Sequence, residues 1–244
     1  MRQYVMSDLV KERLLQRQGR LTSHERIEAQ RTALVVIDMQ NHFVAEGFPN
    51  EIPLSREIVP TINVLAEAMR SAGATVVWTQ TTSCGALQQW NNHHKYMLTP
   101  ERMKKRLASL DESAVGFELY PALDTRPRDL RITKIKYSAF IEGSSDIDAK
   151  LKSRGIDTVL IAGTATNVCC ESSARDAMML DYRVIMLSDA TATWTDAEHT
   201  GTLDNFLLFF GDVMTAAEAI SRLVPAHCRG RGMNGVAAPS SDAG

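Results

Sequence analysis

Five short apolar runs are spaced along the chain: "TALVVIDM" (32–39), "ATVVWTQ" (74–80), "LRITKI" (130–135), "DTVLIAG" (157–163) and "YRVIMLSDA" (182–190). Each is short and rich in β-branched residues, as expected for strands covered on both faces in a parallel sheet. A sixth, "GDVMT" (211–215), is shorter and weaker. Helical periodicity fills the intervals. In 57–72, Ile58, Ile62, Leu65 and Met69 fall on one stripe, and Gly73 supplies the left-handed residue that stops a helix. The same order returns at 146–154, closed by Gly155, and at 170–180. A chain that alternates in this way predicts an α/β domain of three layers, α/β/α, with right-handed crossovers.

The 244 residues are enough for one such domain with a substantial core. Its expected body is 31–225. Residues 1–30 form an N-terminal helical extension: Val5, Leu9, Leu14, Leu15 and Leu21 among many charges suit helical arms on the body or on a neighbouring subunit, or a solvated extension. Residues 226–244, small, polar and glycine-rich, read as a disordered tail that carries Cys228. Lysine and arginine total 27 against 29 acidic residues, and a net charge of −2 gives no broad electrostatic reason to bind nucleic acid or a membrane. The expected partner is a small molecule. The opening "RQYVMSDLVKERLLQRQGR" has no apolar core of signal-peptide length and no later run is long enough to span a bilayer, so the chain reads as cytoplasmic. Cys84, Cys169, Cys170 and Cys228 show no paired metal spacing and are expected to be free thiols.

Ligands of open α/β sheets bind beyond the carboxyl ends of the strands. Three residues fall there: Asp38 after the first strand, Lys134 near the end of the third and Cys169 after the fourth. Each alone has an ordinary structural role, as a turn residue, a snorkelling cation or a small hydrophobe. Together they bring an acid, a base and a sulfur nucleophile to one edge. Gly163 permits a sharp turn, Thr166 or Asn167 is placed to cap the next helix, and Cys169 then lies in its first turn, where backbone N–H groups and the helix dipole favour a thiolate. Cys170, rotated by roughly 100°, is expected to pack against the sheet. Residues 81–128 are too long for a simple connection, and their cluster of Trp90, His93, His94 and Tyr96 is a candidate pocket wall.

The segments "ALVVIDMQNHF" (33–43), "ITKIKYSAF" (132–140) and "AGTATNVCCESSARDAMMLDYRVIMLSDAT" (162–191) resemble, in order and spacing along about residues 31–223, the isochorismatase-like cysteine hydrolase superfamily. The resemblance implies a Rossmann-like fold with a six-stranded parallel sheet and a catalytic triad of Asp38, Lys134 and Cys169. It also implies a cis peptide at Thr164–Ala165 that aims the Ala165 and Cys169 N–H groups into an oxyanion hole. Gln40, Phe43, Gln80, Trp90, His93, His94, Tyr137 and Thr166 are the substrate contacts it suggests. Enol-ether hydrolases of the superfamily generally lack the cysteine, so its presence favours C–N hydrolysis through a thioester, with release of ammonia or carbamate. The layout is most similar to ureidoacrylate and N-carbamoyl amidohydrolases; a maleamate- or nicotinamide-type amidase and an isochorismatase-type enol-ether hydrolase are the alternatives. Lys136 stands where that branch usually has arginine. Nicotinamidase-type members carry an aspartate–x–histidine metal motif where this chain reads "TQTTSCGALQQW" (79–90), so neither metal nor other cofactor is expected, and His93 and His94 are read as a polar rim. Members of the superfamily suggest a homo-dimer or homo-tetramer.

Overall fold

The computed structural model describes residues 3–225. The chain opens with helix α1 (Asp8–Gln18), begun by Ser7, whose hydroxyl accepts from Val10 N–H, and stopped by Gly19 in the left-handed region. A short strand β1 (Ile27–Glu28) leads into the first strand of the main sheet, β2 (Thr32–Ile37), every residue of which is buried. One turn of helix, α2 (Asn41–Val44), follows its carboxyl end, and α3 (Val59–Ala72) returns the chain to β3 (Thr75–Thr81). Gly73, at φ +86°, stops α3.

The long connection at 81–128 holds three helices, α4 (Ala86–Gln89), α5 (Asn91–Tyr96) and α6 (Pro100–Ser109), before β4 (Leu130–Lys134). The second half alternates regularly: α7 (Ile147–Lys152), β5 (Thr158–Thr164), α8 (Glu171–Met179), β6 (Arg183–Ala192), α9 (Asp196–Phe209), β7 (Asp212–Met214), α10 (Ala216–Ser221) and β8 (Leu223–Val224). The weak sixth run is thus a strand, though of three residues. Residues 226–244, expected as a disordered tail, lie outside the described residues.

Six strands pair in the order β4-β3-β2-β5-β6-β7, every pair parallel. Along β2, Leu34 and Val36 enter one core with Ile62, Leu65 and Met69 of α3, while Ala33, Val35 and Ile37 enter the other with Leu151, Ala174 and Phe206. Two apolar faces on one strand explain the unbroken apolar runs and make the three layers. Because β3 and β4 extend the sheet on one side of β2 and β5 to β7 on the other, the chain reverses direction between β2 and β5. That switch point is where ligands of such sheets bind.

The extension is tied to this body. Val10 and Leu14 of α1 pack on Leu207 and Leu208 of α9, and β1 pairs with β8 in a separate two-stranded sheet.

Candidate active site

Asp38 follows β2 with φ +50°, a left-handed conformation that aspartate tolerates better than bulkier side chains do. Its carboxylate and the Lys134 ammonium are both 0 % exposed and lie 2.8 Å apart (Oδ2 to Nζ). Thr81, at the end of the intervening strand β3, joins them: its hydroxyl accepts from Lys134 Nζ (2.8 Å) and donates to Asp38 Oδ1 (3.1 Å). Lys134 Nζ also donates to the Lys136 carbonyl (3.0 Å), so its donors are used and its position set. Asp38 Oδ2 is held by the ion pair with Lys134. Sequence reasoning missed Thr81. Its position at a strand end, opposite Lys134 in register, was the available signal.

Cys169 reaches this pair from the other side of the switch point. The peptide Thr164–Ala165 that precedes its turn is cis. Gly163, at φ +106°, lies so close to β2 that a Cβ there would fall 2.1 Å from the Ile37 carbonyl oxygen. The segment Thr166–Cys170 is a π-helical turn that runs directly into α8, with Ala165 ahead of it and no side-chain cap. The expected cap by Thr166 or Asn167 is therefore corrected. His199 Nε2 donates to the Ser188 carbonyl (3.0 Å), which leaves Nδ1 to accept from the Thr166 hydroxyl (2.9 Å), and Asn167 Oδ1 accepts from Thr193 (2.6 Å). Both side chains brace the turn from behind.

The thiolate expected from the helix terminus is also corrected. Burial pushes the Cys169 thiol up to about 12; the Lys134 charge pulls it down, and the charge and hydrogen bonding of Asp38 push it up again. Desolvation is the largest of these effects, so the resting group is a neutral thiol beside a carboxylate. Cys170 is fully buried in the core on the sheet face, its pKa raised well above the ordinary value chiefly by burial.

A cavity of about 430 Å³ lies over Cys169, within the range of small-molecule sites. Of the expected contacts, Phe43, His93, Tyr137 and Ala165 line it. Trp90 supports the wall, stacked on His93 with ring centroids 4.0 Å apart and edge-on to Tyr137 at 4.6 Å. His94 is held under it by the Trp90 carbonyl (Nδ1 to O 3.1 Å), and Tyr96 is exposed. Gln40 lies elsewhere: its side-chain amide accepts from Thr81 N–H (2.7 Å) and donates to the carbonyls of Thr81 and Phe117. Gln80 donates to the same Phe117 carbonyl and lines a different groove, with residues 117–121. Both glutamines thus anchor backbone, while Thr166 holds the buried His199 imidazole. A buried amide at a strand end serves a loop carbonyl as well as it would serve a ligand, and the sequence pattern is the same for both.

Among the lining residues that escaped the sequence reading, His42 and Arg106 bear on the chemistry. His42 is buried, with Nδ1 2.8 Å from Ser109 Oγ, and burial followed by the nearby Arg106 charge lowers its pKa to about 3. Arg106 itself projects from α6, where it shares the inner face with the half-buried Met103 and Leu107. Among the described residues no group of three or more His, Cys, Asp or Glu side chains could hold a metal ion, and none of the helices is long and apolar enough to cross a membrane.

A sequence model of the isochorismatase domain matches residues 32–218. The ureidoacrylate amidohydrolase RutB of Klebsiella pneumoniae is 31% identical over 213 residues, covering 80% of this chain and 89% of that protein. Among solved structures, a cysteine hydrolase from Pseudomonas syringae pv. phaseolicola is 29% identical with a TM-score of 0.69, covering 80% of this chain and 93% of that one. An isochorismatase-like hydrolase from Alkaliphilus metalliredigens is 31% identical with a TM-score of 0.65, covering 79% and 98%.

Proposed function

The chain belongs to the isochorismatase family, and from that premise we propose that it is a cysteine-dependent amidohydrolase that cleaves a small ureido or carboxamide compound of the ureidoacrylate or N-carbamoyl type. Amidohydrolase chemistry on non-peptide C–N bonds is the activity of its relatives. The observation that carries the finer reading is the placement of the Cys169 thiol on the wall of a closed-in cavity, beside an ion pair with no exposed surface.

The resting thiol is neutral, so its proton leaves as the sulfur attacks. Asp38 accepts that proton while the C–S bond forms, and the carbonyl oxygen takes the electron pair into the hole formed by the Ala165 and Cys169 N–H groups. One good donor there contributes about 2.7–4 kcal/mol. Asp38 then returns the proton to the departing nitrogen, the C–N bond breaks, and a thioester remains on Cys169. Water, deprotonated by Asp38, cleaves the thioester and restores the thiol. Lys134 keeps the carboxylate oriented and offsets the negative charge that passes between Asp38 and the sulfur. Ammonia, or carbamate that decays to it, is released.

Ammonia release from a panel of ureido acids and primary amides tests the assignment. Cys169→Ala should abolish turnover and Cys170→Ala should retain it; the reverse result transfers the nucleophile to Cys170. An enol-ether hydrolase would release no ammonia and would survive Cys169→Ala. Mass spectrometry of the wild type during turnover should show the acyl group on the peptide that contains Cys169. The need for a reduced thiol supports a cytoplasmic location. A homo-dimer or homo-tetramer, supported by the exposed Val5, Leu9 and Leu15 near and on α1, should appear by light scattering at micromolar concentration.

A further inference from the structure

We propose that Arg106 is the specificity-determining residue of the Cys169 cavity and binds an anionic group, a carboxylate, on the amide or ureido substrate; the inference rests on the C–N hydrolase reading of the same site. The charges around the cavity are one-sided. Arg102, Lys105 and Arg106 line it, and no aspartate or glutamate does. Asp38 beneath is already balanced by Lys134.

The three cations differ in what they already hold. Lys105 Nζ pairs with Glu101 (2.7 Å), and Arg102 reaches Asn50 Oδ1 (3.5 Å). The half-buried Arg106 side chain has neither a carboxylate nor a hydrogen-bond acceptor among the described residues. Its field nevertheless covers the cavity: Arg106 lowers the pKa of His42 and His93 and pulls down the Cys169 thiol and the Tyr137 phenol against the effect of burial. All four of those residues line the same space. The two imidazoles are kept neutral first by burial and then by Arg106, which is left as a charged donor on the cavity that also holds the sulfur. A neutral substrate leaves its planar array of N–H groups unanswered, whereas a carboxylate accepts two of them in parallel.

The residue is also held in place. Ser109, one turn later on α6, contacts His42 Nδ1, and the next residue, Leu110, accepts from Ser83 N–H through its carbonyl (2.9 Å). These contacts fix the end of α6 at the cavity rim, although none of the helix's own residues is fully buried.

The test compares ureidopropionate with hydroxypropylurea, in which a neutral hydroxymethyl group replaces the carboxylate, on wild type, Arg106→Gln and Arg106→Lys. Arg106→Gln should lower kcat/KM for the acid by roughly a hundredfold, mainly through KM, and change that for the neutral isostere by less than about threefold. Arg106→Lys should fall between. Equal losses on both substrates would reduce Arg106 to a structural role, and an unchanged acid would place the anchor elsewhere; either result overturns the proposal. A wild type that releases ammonia from neither compound nor from any amide of the panel removes the C–N reading, and calorimetric titration with succinate then decides the anchor separately. Tighter binding to wild type than to Arg106→Gln keeps it, and equal or absent binding removes it.

Discussion

A carboxylate and an ammonium with no exposed surface, 2.8 Å apart, are poorly explained by stability alone. Desolvation of a buried pair consumes most of its Coulombic attraction, yet deleting one partner leaves an uncompensated charge at a cost of about 3–5 kcal/mol. Lys134→Met should therefore lower the urea midpoint strongly, and Asp38→Asn, which keeps a side chain that tolerates φ +50°, combined with Lys134→Met should recover most of the loss while remaining inactive. Recovery of stability without activity would mark the pair as retained for chemistry. The neighbouring thiol gives a pH signature. Its folded pKa of about 12 lies above the ordinary 9.0, so its stabilising contribution is complete below pH 9 and is lost as pH rises toward 12. For the same reason iodoacetamide alkylation of Cys169, followed on its own peptide with exposed Cys84 as reference, should show no inflection between about pH 7 and 9. An inflection there would restore the preformed thiolate. His42 has the opposite sign. Its pKa of about 3 lies below the ordinary 6.5, so its contribution is present above pH 6.5 and is lost as pH falls toward 3, with a slope of at most about 1.4 kcal/mol per pH unit. His42→Gln should flatten that acid limb in pH-dependent urea titrations.

At the scale of elements, the site depends on how closely β5 approaches β2. Gly163 pairs with Ile37 at the carboxyl end of both strands, and an added Cβ would meet Ile37 backbone atoms at 2.1 and 2.6 Å. Neither strand can retreat, since both are buried between helical layers. Gly163→Ala combines this clash with a φ of +106°, and should destabilise by more than about 3 kcal/mol, or prevent accumulation of folded protein; a urea midpoint within experimental error of wild type would show that the strands part more easily than their packing indicates. The same tight geometry decides what could be read in advance. Strands covered on both faces announce themselves as unbroken apolar runs, so the six-stranded sheet and the strand ends bearing Asp38, Lys134 and Cys169 are legible. The turn before α8 is not, because a π-helical segment uses no capping side chain. Nor is the contribution of α6: Met103 and Leu107 mark its inner face, but nothing in that spacing says that Arg106 between them lines a cavity rather than reaching solvent. Gln40 and Gln80 illustrate a third limit: a polar side chain near a strand end is legible, but its choice between ligand and backbone depends on where the 81–128 connection settles.

For the whole molecule, the N-terminal extension and the far edge of the sheet form one closure. Asp212 of β7, 2 % exposed, accepts from the backbone N–H groups of Ser23 (2.9 Å) and His24 (2.7 Å) and lies 2.8 Å from His24 Nδ1. A few residues on, Ile27 is fully buried in the core on the α3 side, and β1 pairs with β8. On the other side α1 covers α9, whose His199 braces Thr166 in the turn of Cys169. The Asp212 carboxylate thus ties the start of the chain to the edge of the sheet, beside the apolar contact of α1 with the helix that supports the nucleophile. Burial raises the pKa of Asp212, but His24 and the backbone donors outweigh it and leave the carboxyl below its ordinary value. A lowered folded pKa means that the contribution is present above the ordinary carboxylate range and is lost as pH falls through it. Asp212→Asn keeps the shape, replaces one acceptor oxygen by a donor facing Ser23 and His24, and should cost about 1–3 kcal/mol at neutral pH. Its Tm should then decline less steeply than that of wild type below about pH 4, because the titrating group is gone. Parallel Tm profiles for the two proteins would mean that Asp212 is not the acid-sensitive tie between the extension and the sheet.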